Sequence, residues 1–221
     1  MHVLIRLSLS DKIFIMKAEP VIKTIFTDIG GVLLTNGWDR EARKKAIELF
    51  NLDPLETEER HHLTFDTYEV GKLTLDEYLQ RLVFYKKRNF TQKDFIMFMY
   101  KQSKPFPEMI ALLQELKKKY NLKIAVVSNE GRELNNYRIK KFGLNTFIDF
   151  FISSSFVHFR KPDADIFKLA VDVAQCPKKE LLYIDDRPLF VQVAAAEGIR
   201  GIIHNDYEST VIKLKSFGLE L

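Results

Sequence analysis

Asp28 ends an apolar run, V-I-K-T-I-F-T-D, and a single isoleucine separates it from Gly30 and Gly31. A buried strand that stops on one carboxylate at a glycine-rich bend delivers a nucleophile or a metal ligand to the carboxyl edge of a sheet, where open α/β folds hold their chemistry. Three later segments repeat the pattern with other groups. L-K-I-A-V-V-S-N stops on Ser128 and Asn129, F-R-K-P-D-A-D-I-F sets Lys161 before a proline and a helix start, and L-L-Y-I-D-D-R-P stops on Asp185 and Asp186. Taken singly, these are a turn, a solvated lysine and helix caps. On parallel strands of one sheet they meet along one edge, so that a carboxylate, a hydroxyl with an amide, an ammonium and a carboxylate pair converge. That set suits a magnesium-dependent reaction on a phosphorylated compound, with carboxylates for the hard cation and neutral donors plus a lysine for phosphoryl oxygens.

In order and spacing, D-I-G-G-V-L, V-V-S-N, R-K-P and Y-I-D-D resemble the four motifs of the haloacid dehalogenase superfamily, and the likeness covers almost everything from Val21 onward. The resemblance implies that Asp28 is the nucleophile and that Ser128, Asn129 and Lys161 hold phosphate. It also implies a magnesium site built from Asp28, the main-chain carbonyl of Gly30 and Asp186, with Asp185 acting through water or a neighbouring ligand. Two positions depart from the family pattern. Phosphatases of this superfamily usually read D-x-D, the second aspartate protonating the leaving alcohol, and here that position is Gly30. Glycine keeps a carbonyl for the metal but removes an acid worth about 10²–10⁴-fold in rate. Water, a cap residue or the substrate would then have to supply the proton. A positive φ angle at Gly30 would be a second reason for glycine there. Members of the sugar-phosphatase branch, similar to α-glucose-1-phosphatase, also read D-x-G and share a stretch like R-K-P-D-A-D-I-F. Phe190 stands where the family often carries Asn or Asp, which removes the hydrogen bond usual at that place.

The elements needed to position these groups are legible. Beyond Pro105 and Pro107, helices near 107–119, 131–141, 163–175 and 188–197 alternate with apolar runs near 122–127, 149–153, 181–185 and 200–204, and a helix near 207–217 closes the chain. Such alternation predicts a parallel sheet covered on both faces. Between the first two motifs the sequence turns helical. Asp39, Asp53 with Pro54, Thr74 with Glu77, and Thr91 with Asp94 read as four helix starts. Leu75, Tyr78, Leu79 and Leu82 recur at helical spacing and predict a bundle core, as do Phe95, Phe98 and Met99. An all-helical insertion here is similar to the superfamily's cap, and implies a lid over Asp28. Trp38, His61, His62, Tyr68 and Lys72 are its candidate substrate contacts. Adjacent histidines on a helix point about 100° apart, so His61 and His62 cannot share one metal ion.

Composition sets the outer bounds. The 221 residues suffice for one substantial core and an accessory domain, and 46% apolar with 29% charged residues describe an ordinary globule. The balance of 34 basic against 30 acidic residues, +4, is too small and scattered to argue for nucleic acid. The basic run Lys117 to Lys119 falls in the last turn of an expected helix, where cations suit the dipole. The lone Cys176 excludes an intrachain disulfide framework and fits a reducing cytoplasm. Charges at Arg6, Asp11 and Lys12 break the leader before it reaches the ~18 apolar residues of a membrane span, and it lacks a small-residue cleavage site.

The expected organisation is therefore an N-terminal extension over 1–20, a Rossmann-like α/β core over 21–37 and 104–221, and a helical cap over 38–103. The expected activity is magnesium-dependent hydrolysis of a small phosphorylated metabolite, a sugar phosphate among the candidates, by a cytoplasmic enzyme with no nucleic-acid or membrane partner. A metal-independent, carbon-centred hydrolase of the dehalogenase type and a catalytically impaired binding or regulatory protein stay open as alternatives, the latter because of Gly30. Oligomeric state is not set by these features.

Overall fold

The computed structural model describes residues 21–221; the expected extension over 1–20 lies outside them. Five strands, β1 (Thr24–Thr27), β2 (Lys123–Ser128), β3 (Phe150–Ser153), β4 (Leu181–Asp185) and β5 (Arg200–Ile203), form one parallel sheet in the order β3-β2-β1-β4-β5. The side-chain period of two splits each strand between two cores. Ile25, Ile124, Val126, Leu182 and Ile184 face helices α5 (Pro107–Tyr120) and α10 (Tyr207–Ser216). Phe26, Ala125, Val127, Leu181 and Tyr183 face α8 (Asp165–Ala174) and α9 (Pro188–Ala196). Covering both faces explains why the strands read as continuous apolar runs. Each fully buried aliphatic or aromatic side chain stabilises the sheet by roughly 1.5–3 kcal/mol.

From β1 the chain runs to β2 and β3 on one side, then returns to β4 and β5 on the other. The crevice at the carboxyl ends of β1 and its two neighbours is thus a topological switch point. Register fixes the level of the site: Thr27 pairs with Val126 and with Ile184, so Asp28 follows β1 at the height where β2 and β4 end.

Four helices stand between β1 and α5, and their starts follow local chemistry. Asp39 caps α1 (Arg40–Leu49) and Asp53 caps α2 (Pro54–Glu69), while full capping boxes open α3 (Leu75–Leu82) and α4 (Gln92–Lys101). Their facing sides bury Leu75, Tyr78, Leu79, Leu82, Phe95 and Met99 in a separate cluster, with Phe98 packed against it. Leu134 joins that cluster from α6 (Arg132–Lys141) of the sheet domain. The chain leaves and re-enters at one place, where Thr35 N donates to Lys104 O at 2.8 Å and Lys104 N donates to Thr35 Oγ1 at 2.9 Å. No helix among the described residues is long and apolar enough to cross a membrane.

Candidate active site

Asp28, Asp185 and Asp186 bring one carboxylate oxygen each to within 4.8 Å of one another. Their surroundings differ. Asp28 Oδ1 accepts from Ile29 N at 2.7 Å, and Oδ2 lies 3.1 Å from Lys161 Nζ. Burial pushes the Asp28 carboxyl above its ordinary range; Lys161 opposes this and Asp185 adds to it. Asp185 has no exposed surface, and both of its oxygens are engaged: Oδ2 by Lys161 Nζ at 2.6 Å and by the Tyr183 hydroxyl, Oδ1 by Arg187 N at 2.7 Å. Asp186 is the reverse, since its Oδ1 is buried with no hydrogen-bond partner. Burial and the charge of Asp28 also raise the Asp186 carboxyl. Three converging carboxylates against one ammonium, with one oxygen unpartnered, are a donor set that fits a hard divalent cation. Asp186 has the free coordination capacity, and Asp185 is committed to its neighbours.

Lys161 is fully buried. Burial alone would lower its pKa, but Asp28 and Asp185 outweigh that and hold it above the ordinary lysine value. Its backbone is clamped by Asn129, whose Nδ2 donates to Lys161 O and whose Oδ1 accepts from Lys161 N, both at 2.8 Å. The side chain expected to hold phosphate thus holds the lysine in place. Ser128 Oγ is buried and lies near enough to Asp28 to favour its ionised form, yet makes no hydrogen bond of good geometry. Phe190 sets its ring centroid 4.8 Å from Lys161 Nζ, so an aromatic face covers the lysine where the family often has a polar side chain.

The glycines divide the expected roles differently. Gly31, not Gly30, has the positive φ, at 76°, and a Cβ there would collide with the Asp186 carboxylate. Gly30 is constrained by Asn36, whose Oδ1 would stand 2.6 Å from an added Cβ. That atom is the end of a side chain and can turn away.

A cavity of about 310 Å³ opens above these groups. Asp28, Gly30, Ser128 and Asn129 line its floor, and Trp38, Arg43, Phe65, Tyr68 and Glu69 line it from the inserted helices. Of the expected contacts, His61 does not line the cavity, and Trp38 lines it with its indole N–H already engaged. His61, pushed down to about 4 mainly by burial, is neutral at pH 7, and its Nδ1 lies 2.8 Å from the Tyr78 hydroxyl. The same hydroxyl accepts from Trp38 Nε1 at 2.9 Å. His62 and Lys72 are exposed and do not line the cavity.

Several charged lining residues escape sequence reasoning. Glu130 is buried against Arg138, and burial drives its carboxyl up to about 7, with Arg138 opposing. Glu69 ends α2 and faces Arg160 Nη2 at 2.7 Å, while Arg160 Nη1 lies 2.6 Å from Asp66. The end of α2 is fastened to the sheet domain by Ser154, which opens α7 (Ser154–Val157): its Oγ donates to Glu69 O at 2.7 Å and accepts from Glu130 N at 2.9 Å. One local signal was available for Glu69, namely the helix-ending Y-E-V-G that stops at Gly71, shortly before the Thr74 cap.

A family model described as haloacid dehalogenase-like hydrolase matches residues 22–198. A relative from Caldanaerobacter subterraneus, named as the pyrophosphatase PpaX, is 28% identical over 95 residues, 43% of this chain; the match spans only 41% of that relative's length. Among solved structures, a HAD family enzyme of Bacteroides thetaiotaomicron, BT-2542, in complex with magnesium and inorganic phosphate superposes with a TM-score of 0.72 at 22% identity, covering 86% of this chain and 98% of its own. The L-2-haloacid dehalogenase of Xanthobacter autotrophicus gives 0.58 at 19% identity, over 89% and 83%. At these identities the structural likenesses carry the fold. The family match spans most of the chain, its four motifs meet at one sheet edge, and the chain belongs to the haloacid dehalogenase-like hydrolases.

Proposed function

We propose that this hydrolase is a magnesium-dependent phosphatase that acts on a small phosphorylated metabolite through a phosphoaspartate at Asp28. The observation that carries the reading is the convergence of Asp28, Asp185 and Asp186 beside Lys161, since three carboxylates around one ammonium leave negative charge for a divalent cation to offset. Asp28 attacks phosphorus in line from the sheet side, and the leaving oxygen departs toward the inserted helices. Lys161 and the unpartnered Ser128 hydroxyl hold the phosphoryl oxygens, while Asn129 fixes the lysine through its backbone. Asp28, Asp186 and the Gly30 carbonyl would hold magnesium, which would supply positive charge against the transferring group. Asp185 positions Lys161 and orders Arg187. Residues 38–103 act as a lid, and their Trp38, Arg43, Phe65 and Tyr68 select the substrate. The cavity volume suits a metabolite of sugar-phosphate size. A relative solved with magnesium and phosphate supports the same reading.

A panel of phosphorylated metabolites assayed with magnesium and with chelator tests this. The expected result is magnesium-dependent phosphate release that falls to background in Asp28→Asn, because an amide cannot form the acyl phosphate. Hydrolysis that persists in chelator, or halide release from a 2-haloacid without metal, would turn the reading to the carbon-centred alternative.

A further inference from the structure

We infer that Glu69, at the end of α2 in the roof of the cavity, is the general acid that protonates the leaving oxygen, the role left empty by Gly30. The inference rests on the phosphatase reading above and deepens it. Glu69, at the end of α2 in the inserted helices, and Asp28, at the end of β1, line the same cavity. In an in-line displacement the leaving oxygen moves away from the nucleophile, so a proton donor for it must lie on the side of the inserted helices. The Glu69 carboxyl is almost wholly enclosed, with its side chain 9% exposed, and Oε2 makes no hydrogen bond of good geometry although Arg160 Nη2 lies 2.7 Å away.

Its placement is built. Glu69 is the last residue of α2, and its carbonyl accepts from Ser154 Oγ, which also accepts from the backbone N–H of Glu130, two residues after Ser128. One hydroxyl therefore ties the backbone of Glu69 to the strand end that carries the phosphate-side donors. Arg160 is shared with Asp66, which divides its charge between two carboxylates. The groups facing Glu69 are Arg160 and Lys161 from the loop before α8, Glu130 from the end of β2, Tyr78 from α3, and Asp66 from its own helix. Burial outweighs the arginine and raises the Glu69 carboxyl, which favours the protonated form a donor needs. Glu130 is a weaker candidate, because Arg138 holds it at the floor, where Arg138 also donates to Thr35 O at 2.5 Å.

The step balances. As the Asp28 oxygen bonds to phosphorus, the ester P–O bond breaks and the Glu69 proton passes to the departing oxygen. The resulting Glu69 carboxylate then takes a proton from the water that attacks the phosphoaspartate, which frees Asp28 and restores the acid.

The test compares p-nitrophenyl phosphate, whose leaving group needs no proton, with ethyl phosphate, whose leaving group does, in wild type and in Glu69→Gln. Glutamine keeps the size and a hydrogen-bonding oxygen for Arg160. Read as alcohol or phenol release in a single turnover, which isolates attack by Asp28 from the later hydrolysis that both substrates share, the expected result is a loss of about 10²-fold or more on ethyl phosphate with the rate of p-nitrophenol release nearly retained, and Glu69→Asp restoring part of the alkyl rate. A folded Glu69→Gln that loses neither rate, or both equally, overturns the assignment. If Glu69→Gln does not fold, the wild-type pH profiles decide. Ethyl phosphate must show a falling alkaline limb that the aryl substrate lacks, and coincident profiles overturn the inference. Aryl turnover surviving in Asp28→Asn would instead overturn the underlying phosphatase reading, so the two failures are distinct.

Discussion

Asp185 and Asp186 are neighbours in sequence with opposite tasks. The first is consumed by Lys161, Tyr183 and Arg187; the second keeps a buried oxygen without a partner. Asp186→Ala is therefore expected to abolish magnesium-dependent turnover, whereas Asp185→Asn should fold and weaken magnesium affinity by about 10–100-fold, the usual cost of disturbing a group that orients a ligand. Parallel magnesium titrations of activity check this, and equal losses would contradict the division. Glu130 gives a pH prediction. Its folded pKa is raised from 4.5 to about 7, so between those values the folded protein binds more protons than the unfolded chain. Stability from this group is therefore greatest at acid pH and is lost as pH rises from 4.5 through about 7. In denaturant unfolding under chelator, Glu130→Gln should flatten that slope relative to wild type, and an unchanged slope would assign the titration elsewhere.

The contact between α2 and α6 shows how an element sets the site. Tyr68, stacked on Tyr78 with ring centroids 4.9 Å apart, lies against the backbone of Gly131, the residue that precedes α6. A Cβ at 131 would run into the Tyr68 ring. Gly131→Ala is expected to cost about 1–3 kcal/mol, as overpacking does, and to lower turnover by moving the roof off the floor. In a Tyr68→Ala background the same substitution should cost little, because the clashing ring is gone. Equilibrium unfolding of both single variants and the double variant measures the coupling. Additive losses would mean that the ring does not limit residue 131.

At the scale of the whole molecule, what was legible in sequence was local. Apolar runs that stop on Asp28, Ser128 and Asp185 mark strand ends because a doubly covered sheet needs continuous apolar strands and leaves chemistry to their termini. The capping boxes at Thr74 and Thr91 lie within four residues and could be read directly. What could not be read depends on tertiary approach: the Arg160 pairs with Asp66 and Glu69, the Glu130–Arg138 pair, and Asn129 gripping the backbone of Lys161. Glycine spacing likewise did not reveal that the left-handed residue is Gly31. If phosphate passes through Asp28, the phosphoaspartate can be trapped. Protein quenched during turnover of p-nitrophenyl phosphate is reduced with borohydride, which converts an acyl phosphate of aspartate to homoserine, and the peptide bearing residue 28 is weighed. Homoserine at position 28, formed with magnesium and absent with chelator, is the predicted result. Sustained phosphate release with position 28 unmodified, or with the modification at another carboxylate, would contradict it.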